Sequence, residues 1–195
     1  MNNFTVMAQG LDVSELKDAL DGCILFGENH QQMTPTGHRE IKEIWIHAPD
    51  PTTVKNYANY GTSPQYWHKG FYDLPQVKQI IYTMMALGDA SGIERCFISM
   101  IPPKCKVLKH RDANVVDDGC VRFHCSINSA PGIVFYCGET DQEEVMTPDN
   151  GDIYYFRNDL PHWIENNSDQ VRYSLYADLK CDWSKQYKGG DDDNE

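Results

Sequence analysis

Three residues with metal-binding side chains frame the question of what this chain does. His110 and Asp112 stand one residue apart in KHRDAN, so an extended backbone aims both side chains the same way. A third candidate, His162, follows after a long gap, directly behind Pro161. Two imidazoles and one carboxylate form the facial ligand set of non-haem iron(II), which leaves positions free for a bidentate cosubstrate and dioxygen. The His-x-Asp tripeptide alone is weak, since most such tripeptides are surface accidents. HRD also begins the kinase catalytic loop. That pattern needs an asparagine five residues after the aspartate, where this chain has Asp117, and no glycine-rich loop accompanies it.

Arg172 is the second chemical oddity, a cation inside VRYSLYAD, which otherwise reads as a buried strand. An iron centre of this type needs a cosubstrate that donates two electrons. 2-Oxoglutarate chelates a metal through its keto-acid end and leaves a far carboxylate to be held inside the protein. Arginine suits that task, because it is always charged and grips a carboxylate with two parallel hydrogen bonds. The anion in turn neutralises a buried cation that is costly without a partner. The alternative is a structural ion pair between Arg172 and Asp152 or Asp178.

The elements that must position these groups change character along the chain. DVSELKDALDG predicts a short helix, with Asp12 as cap, Glu15 completing a capping box and Gly22 as stop. REIKEIWIHA, 39–48, alternates as a strand does. Residues 49–70, rich in Pro, Gly, Asn and Tyr, read as a long loop, either a plain surface loop or one placed to cover a substrate. DLPQVKQIIYTMMALGDASG predicts the best helix: Asp73 caps it, Pro75 falls in its first turn, and Val77, Ile80, Ile81, Met84 and Met85 form one apolar stripe.

From residue 93 short β-rich runs follow one another, at 93–101, 105–110, 120–128, 132–137, 143–147, 152–156, 161–165 and 171–179, separated by turn residues. Eight strands at this spacing predict a jelly-roll sandwich or barrel, with the N-terminal helices covering one sheet. Alternation then sorts the faces. Val121, Phe123, Cys125 and Ile127 share one face of CVRFHCSIN, and Arg122, His124 and Ser126 the other. Val171, Tyr173, Leu175 and Ala177 oppose Arg172 and Ser174. The polar faces point either into the barrel mouth or to solvent.

With 195 residues the chain suits one domain: residues 1–187, of which 1–92 form a helical and loop cover and 93–179 the β core, followed by an acidic tail, 188–195. The net charge of −12 argues against a nucleic-acid partner, which calls for a basic footprint. No apolar run resembles a signal peptide or a membrane span. The seven cysteines are odd in number and form no CxxC pair, as expected of reduced thiols in a cytoplasmic protein. The sequons at Asn3 and Asn166 are then chance matches.

Taken in order, FISMIPP with Ser99 eleven residues before His110, HRD, RFHCSI at 122–127 and GDIYYFRNDLPHWIENNSDQVRYSLYADL at 151–179 resemble segments of the Fe(II)/2-oxoglutarate-dependent dioxygenases, in the aspartyl/asparaginyl β-hydroxylase branch. The resemblance covers roughly 93–179. It implies a mainly β fold with flanking helices, the double-stranded β-helix or cupin-like jelly-roll barrel. It also implies iron(II) on His110, Asp112 and His162, and 2-oxoglutarate contacted by Ser99, Arg122, His124 and Arg172. The expected reaction, with O2 as oxidant, hydroxylates an unactivated C–H bond of an Asp- or Asn-type amino-acid residue and releases succinate and CO2, with a peptide or protein as partner; the alternative is a hydroxylase of proline or another free amino acid. Animal members of the branch have glycine where this chain has Asp112, so their substrate cannot be copied, and some relatives act on free proline. Trp163, Tyr154 and Tyr155 are candidates for pocket walls or core. Rival readings are a non-catalytic cupin-like metal or small-acid binder, a cupin-type isomerase or dioxygenase, and a nucleic-acid demethylase.

Overall fold

The computed structural model describes residues 2–28, 40–50, 64–112 and 119–182. Most of the 49–70 loop and the 188–195 tail therefore lie outside the described residues.

In chain order the elements are β1 (Phe4–Ala8), α1 (Ser14–Leu20), β2 (Gly27–Glu28), β3 (Lys42–Pro49), β4 (Gln65–Trp67), α2 (Lys69–Asp73), α3 (Val77–Leu87), β5 (Ala90–Ile101), β6 (Lys106–His110), β7 (Cys120–Asn128), β8 (Ile133–Cys137), β9 (Glu144–Met146), β10 (Ile153–Phe156), β11 (His162–Asn166) and β12 (Arg172–Cys181). Two antiparallel sheets result. The larger runs β1-β10-β7-β12-β5-β3-β2, with β4 paired to β3; the smaller runs β6-β11-β8-β9. From β5 onward the eight expected strands divide four to each sheet, which is the double-stranded β-helix. Residues before β5 supply the helices and also four strands that widen the larger sheet.

Each sheet face has its own core. Val121, Phe123, Cys125 and Ile127 of β7 pack with Leu175, Ala177 and Leu179 of β12 against Leu16 and Leu20 of α1 and Val77, Ile80, Ile81 and Met84 of α3. The opposite face meets the smaller sheet, where Phe97, Ile101, Phe135, Tyr154, Phe156, Ile164 and Tyr176 form a second cluster. The alternation read from the strands therefore holds, and the polar residues of β7 and β12 turn inward between the sheets.

The helix starts differ from expectation. Asp12 Oδ1 accepts bonds from the Ser14 amide at 3.0 Å and the Ser14 hydroxyl at 2.7 Å, but the cap position is Val13 and no capping-box bond forms there. Gly22, at φ 78°, follows the helix as its stop. The second helix is split. Pro75 disfavours the α conformation in the residue before it. Leu74 accordingly leaves it (φ −119°, ψ 72°), so Asp73 ends α2, paired to Lys69 at 3.4 Å, instead of capping α3. Residues 90–92 join β5 after a turn at Asp89 (φ 46°). In the 49–70 stretch, read as a loop, the described part holds the last residue of β3, all of β4 and the start of α2. Gly70 lets α2 lie on β3, since a Cβ there would sit 2.7 Å from Ile44 and 2.8 Å from the Trp45 carbonyl. Among the described residues no helix is long and apolar enough to cross a membrane.

Candidate active site

His110 ends β6 and His162 begins β11, and the two are directly opposite in the antiparallel ladder. Both sit on the inner face of the smaller sheet, with ring centroids 4.3 Å apart. Asp112 follows β6 and is tied down by its amide, which donates to the Asn158 carbonyl at 3.1 Å. One ligand atom from each of the three residues lies within 4.8 Å of the other two. His110 Nδ1 donates to the Leu108 carbonyl at 2.7 Å and His162 Nδ1 to the Leu160 carbonyl at 2.9 Å. Those bonds fix the tautomers and leave both Nε2 lone pairs aimed inward, each 3.7 Å from an Asp112 oxygen. Burial pushes the His162 imidazole down to about 4, against the pull of Asp112, so it is neutral and able to coordinate at neutral pH. Burial alone would raise Asp112. The Arg122 guanidinium, helped by His162, His110 and Arg95, outweighs it and holds the carboxyl well below the usual range. Two imidazole nitrogens and a fixed carboxylate, with no thiolate among them, fit iron(II).

The larger sheet faces this triad with a chain of charges. Asp178 on β12 lies in register between Arg95 on β5 and Arg122 on β7. It accepts from Arg122 Nε at 2.7 Å and Nη2 at 2.9 Å, and from Arg95 Nε at 2.7 Å. Arg122 Nη1 donates in turn to Asp112 Oδ2. Burial opposes the ionised Asp178, but the two guanidiniums hold its carboxyl below the usual range.

Between the sheets lies a cavity of about 70 Å³. Its polar lining is the triad with Glu43, Ser99 and Arg122, and its apolar wall includes Phe97, Phe135, Phe156 and Tyr176. Glu43 sits beside Ser99 in the β3–β5 ladder. Burial pushes its carboxyl up to about 7, against the pull of Arg95 and Arg122.

Arg172 and His124 lie behind that wall. Arg172 is fully buried, donates from Nη2 to His124 Nε2 at 2.8 Å and from Nη1 to the Tyr176 hydroxyl at 3.4 Å, and leaves Nε without a partner. His124 accepts that bond and so carries its proton on Nδ1, which is also unpartnered. Burial, with Arg172 and Arg122 nearby, pushes this imidazole well below its usual range. The Ser126 and Ser174 hydroxyls, opposite one another on β7 and β12, are orphaned as well. Neither Asp152 nor Asp178 neutralises Arg172. Asp178 serves Arg95 and Arg122, and Asp152 accepts from the Asp149 amide. A buried guanidinium without a carboxylate among the described residues fits an organic dianion entering the cavity, with Tyr176 between the two.

The structure thus brings Ser99 and Arg122 to the cavity with all three ligands, and sets His124 and Arg172 one layer deeper. Sequence reading missed Glu43 and Tyr176, and treated Asp178 only as a possible partner of Arg172. Tyr176 shares the inward parity of Arg172 and Ser174, which was the signal available for it. Tyr154 is core, its hydroxyl 3.4 Å from His124 Nε2, and Tyr155 packs toward the helices. Trp163 is not a pocket wall: it stacks on Tyr136 at 4.8 Å and lies under Lys109 on the outer face of the smaller sheet.

Residues 57–181 match the family model described as aspartyl/asparaginyl beta-hydroxylase. Among solved structures, the chain is similar to a prolyl hydroxylase from Trichoplax adhaerens in complex with a hypoxia inducible factor peptide fragment, at 14% identity and TM-score 0.62, covering 97% of this chain and 89% of that one. It is similar to an oxidoreductase of the 2OG-Fe(II) oxygenase family from Burkholderia pseudomallei, at 15% identity and TM-score 0.63, covering 91% and 84%. A Pseudomonas putida prolyl-4-hydroxylase matches at 16% identity and TM-score 0.52, covering 93% and 94%. At these identities the likeness is one of fold. No curated protein sequence matches the chain.

Proposed function

The chain belongs to the aspartyl/asparaginyl β-hydroxylase family of iron(II)- and 2-oxoglutarate-dependent oxygenases, and on that premise we propose that it hydroxylates an unactivated C–H bond in an Asp- or Asn-type residue, releasing succinate and CO2. The observation that carries this reading is the convergence of His110 Nε2, His162 Nε2 and an Asp112 oxygen on one point at the edge of the inter-sheet cavity. Those three residues would hold the metal. Iron(II) with 2-oxoglutarate, when bound, supplies the oxidising chemistry through dioxygen.

The protein's own part is placement. The Leu108 and Leu160 carbonyls keep both imidazoles in the coordinating tautomer. Ser99 and the Tyr176 hydroxyl, backed by Arg172, line the cavity and would supply hydrogen bonds to the far carboxylate of the cosubstrate. His124 keeps the Arg172 guanidinium turned toward the cavity by accepting one of its N–H groups. Phe97, Phe135 and Phe156 keep water from the reacting end. No nucleophile–base pair is required, since the hydrogen abstracted is on carbon.

The test is anaerobic loading with Fe(II) and 2-oxoglutarate, followed by oxygen, with succinate measured in the wild type and in His162→Ala. Succinate from the wild type alone is expected; equal yields from both would remove His162 from the ligand set. No succinate from either would favour the binding-protein reading. A panel of Asp-, Asn- and Pro-containing peptides and free amino acids, scored by the mass gain of one oxygen, then fixes the substrate. Hydroxylation of proline alone would replace the Asp/Asn reading.

A further inference from the structure

Resting on the functional reading above, we propose that Arg122, clamped by Asp178, is a positioning residue that holds the metal-ligating carboxylate of Asp112, and is not the cosubstrate's anchor.

A guanidinium has five N–H donors in a rigid plane. Arg122 commits one edge, Nε and Nη2, to both oxygens of Asp178 at 2.7 and 2.9 Å. That two-point grip fixes the plane of the guanidinium and so the direction of its remaining nitrogen. Nη1 then donates to Asp112 Oδ2. Oδ1 receives nothing from Arg122 and faces His110 Nε2 at 3.7 Å, while Oδ2, besides its bond to Arg122, faces His162 Nε2 at 3.7 Å. The clamped guanidinium therefore fixes the orientation of the Asp112 carboxylate between the two imidazoles, as a positioning partner behind a metal ligand does.

The clamp is itself anchored. Asp178 takes a further bond from Arg95 on the opposite neighbouring strand. Charges alternate through the series Arg95, Asp178, Arg122, Asp112, so each buried ion has an opposite neighbour. Asp112 follows β6 in the smaller sheet, whereas Asp178 and Arg122 are strand residues of the larger sheet. The network thus ties a ligand that lies beyond a strand end to the rigid middle of the opposing sheet. Arg172 offers the contrast: it is buried to the same degree but has no carboxylate among the described residues.

The experiment is a Mn(II) titration of the full chain, followed by 2-oxoglutarate titration at saturating Mn(II), for wild type, Arg122→Lys, Asp178→Asn and Arg172→Lys, each checked for folding by circular dichroism. Arg122→Lys and Asp178→Asn are expected to weaken Mn(II) binding by about 10- to 100-fold while 2-oxoglutarate affinity stays within about threefold. Arg172→Lys is expected to show the reverse split. If Arg122→Lys does not fold, Asp178→Asn carries the test, because it removes the clamp and leaves Arg122 in place. Unchanged Mn(II) affinity in the folded variants overturns the proposal, as does a loss confined to 2-oxoglutarate. A wild type that binds no Mn(II) overturns the metal site itself, and with it both readings.

Discussion

The two faces of β12 are equally buried but opposite in chemistry. Toward the helices it presents Tyr173, Leu175, Ala177 and Leu179, all buried and apolar. Toward the smaller sheet it presents Arg172, Ser174, Tyr176 and Asp178, just as buried, with two formal charges and an orphaned hydroxyl. The first face stabilises the fold by roughly 25 cal/mol for each Å² of apolar surface removed from water. The second costs desolvation of every polar group it carries. One strand thus separates the two tasks by parity alone: even positions serve the cavity and odd positions hold the protein together.

Substituting one residue on each face would break or sharpen that contrast. Leu175→Ala should lose about 3–4 kcal/mol of stability, measured as a shift in the urea midpoint, while turnover per folded molecule is retained. Arg172→Met should do the opposite. The KM for 2-oxoglutarate is expected to rise about 10-fold, because the Tyr176 hydroxyl that faces the cavity loses the cation behind it. Stability should hold or increase, because replacing an uncompensated buried charge by an apolar side chain of similar volume is often favourable. A large fall in stability for Arg172→Met would mean that its bonds to His124 and Tyr176 are structural after all.

A smaller effect concerns Glu43 on the cavity side. Its folded-state carboxyl is raised to about 7 by burial, so the fold favours the protonated form. The associated stability is fully present below the ordinary value of 4.5 and is lost as pH rises through about 7. Glu43→Gln should therefore be more stable than wild type at pH 8, by roughly 1–3 kcal/mol, with the difference vanishing near pH 4. His162 contributes a slope of opposite sign, being depressed to about 4, but it is common to both proteins and cancels in the comparison. A constant difference between the two urea midpoints across that range would remove the titration of Glu43 as the cause. Smallest of all is Asp12→Ala on the exposed helical side, expected to lower the melting temperature slightly through loss of the two bonds to Ser14, with metal binding unchanged.

The inward face of the barrel was legible because a strand has period two. Once Val121, Phe123, Cys125 and Ile127 were assigned to the helix-side core, Arg122 and His124 had to share the opposite face. Helix ends were less legible, since Asp73 and Pro75 fit a helix start as well as the break between two helices. The contribution of the first 89 residues to the larger sheet was read only in part, because β1, β2 and β4 are short and edge-like, with little alternation to display.

The sequence by itself determined the ligand types, their order and their parity: His110 and Asp112 one residue apart, His162 downstream, and Arg172 on the same face of its strand as Ser174. These are local properties, set by side-chain chemistry and strand alternation. Only the tertiary structure decided which charges meet. Asp178 is 56 residues from Arg122 and 83 from Arg95, and no local pattern links them. The register of β5, β12 and β7 set Asp178 between two guanidiniums and left Arg172 without a carboxylate among the described residues. Register is a property of paired strands, fixed by the packing of both sheet faces at once, and it has no counterpart in any single segment.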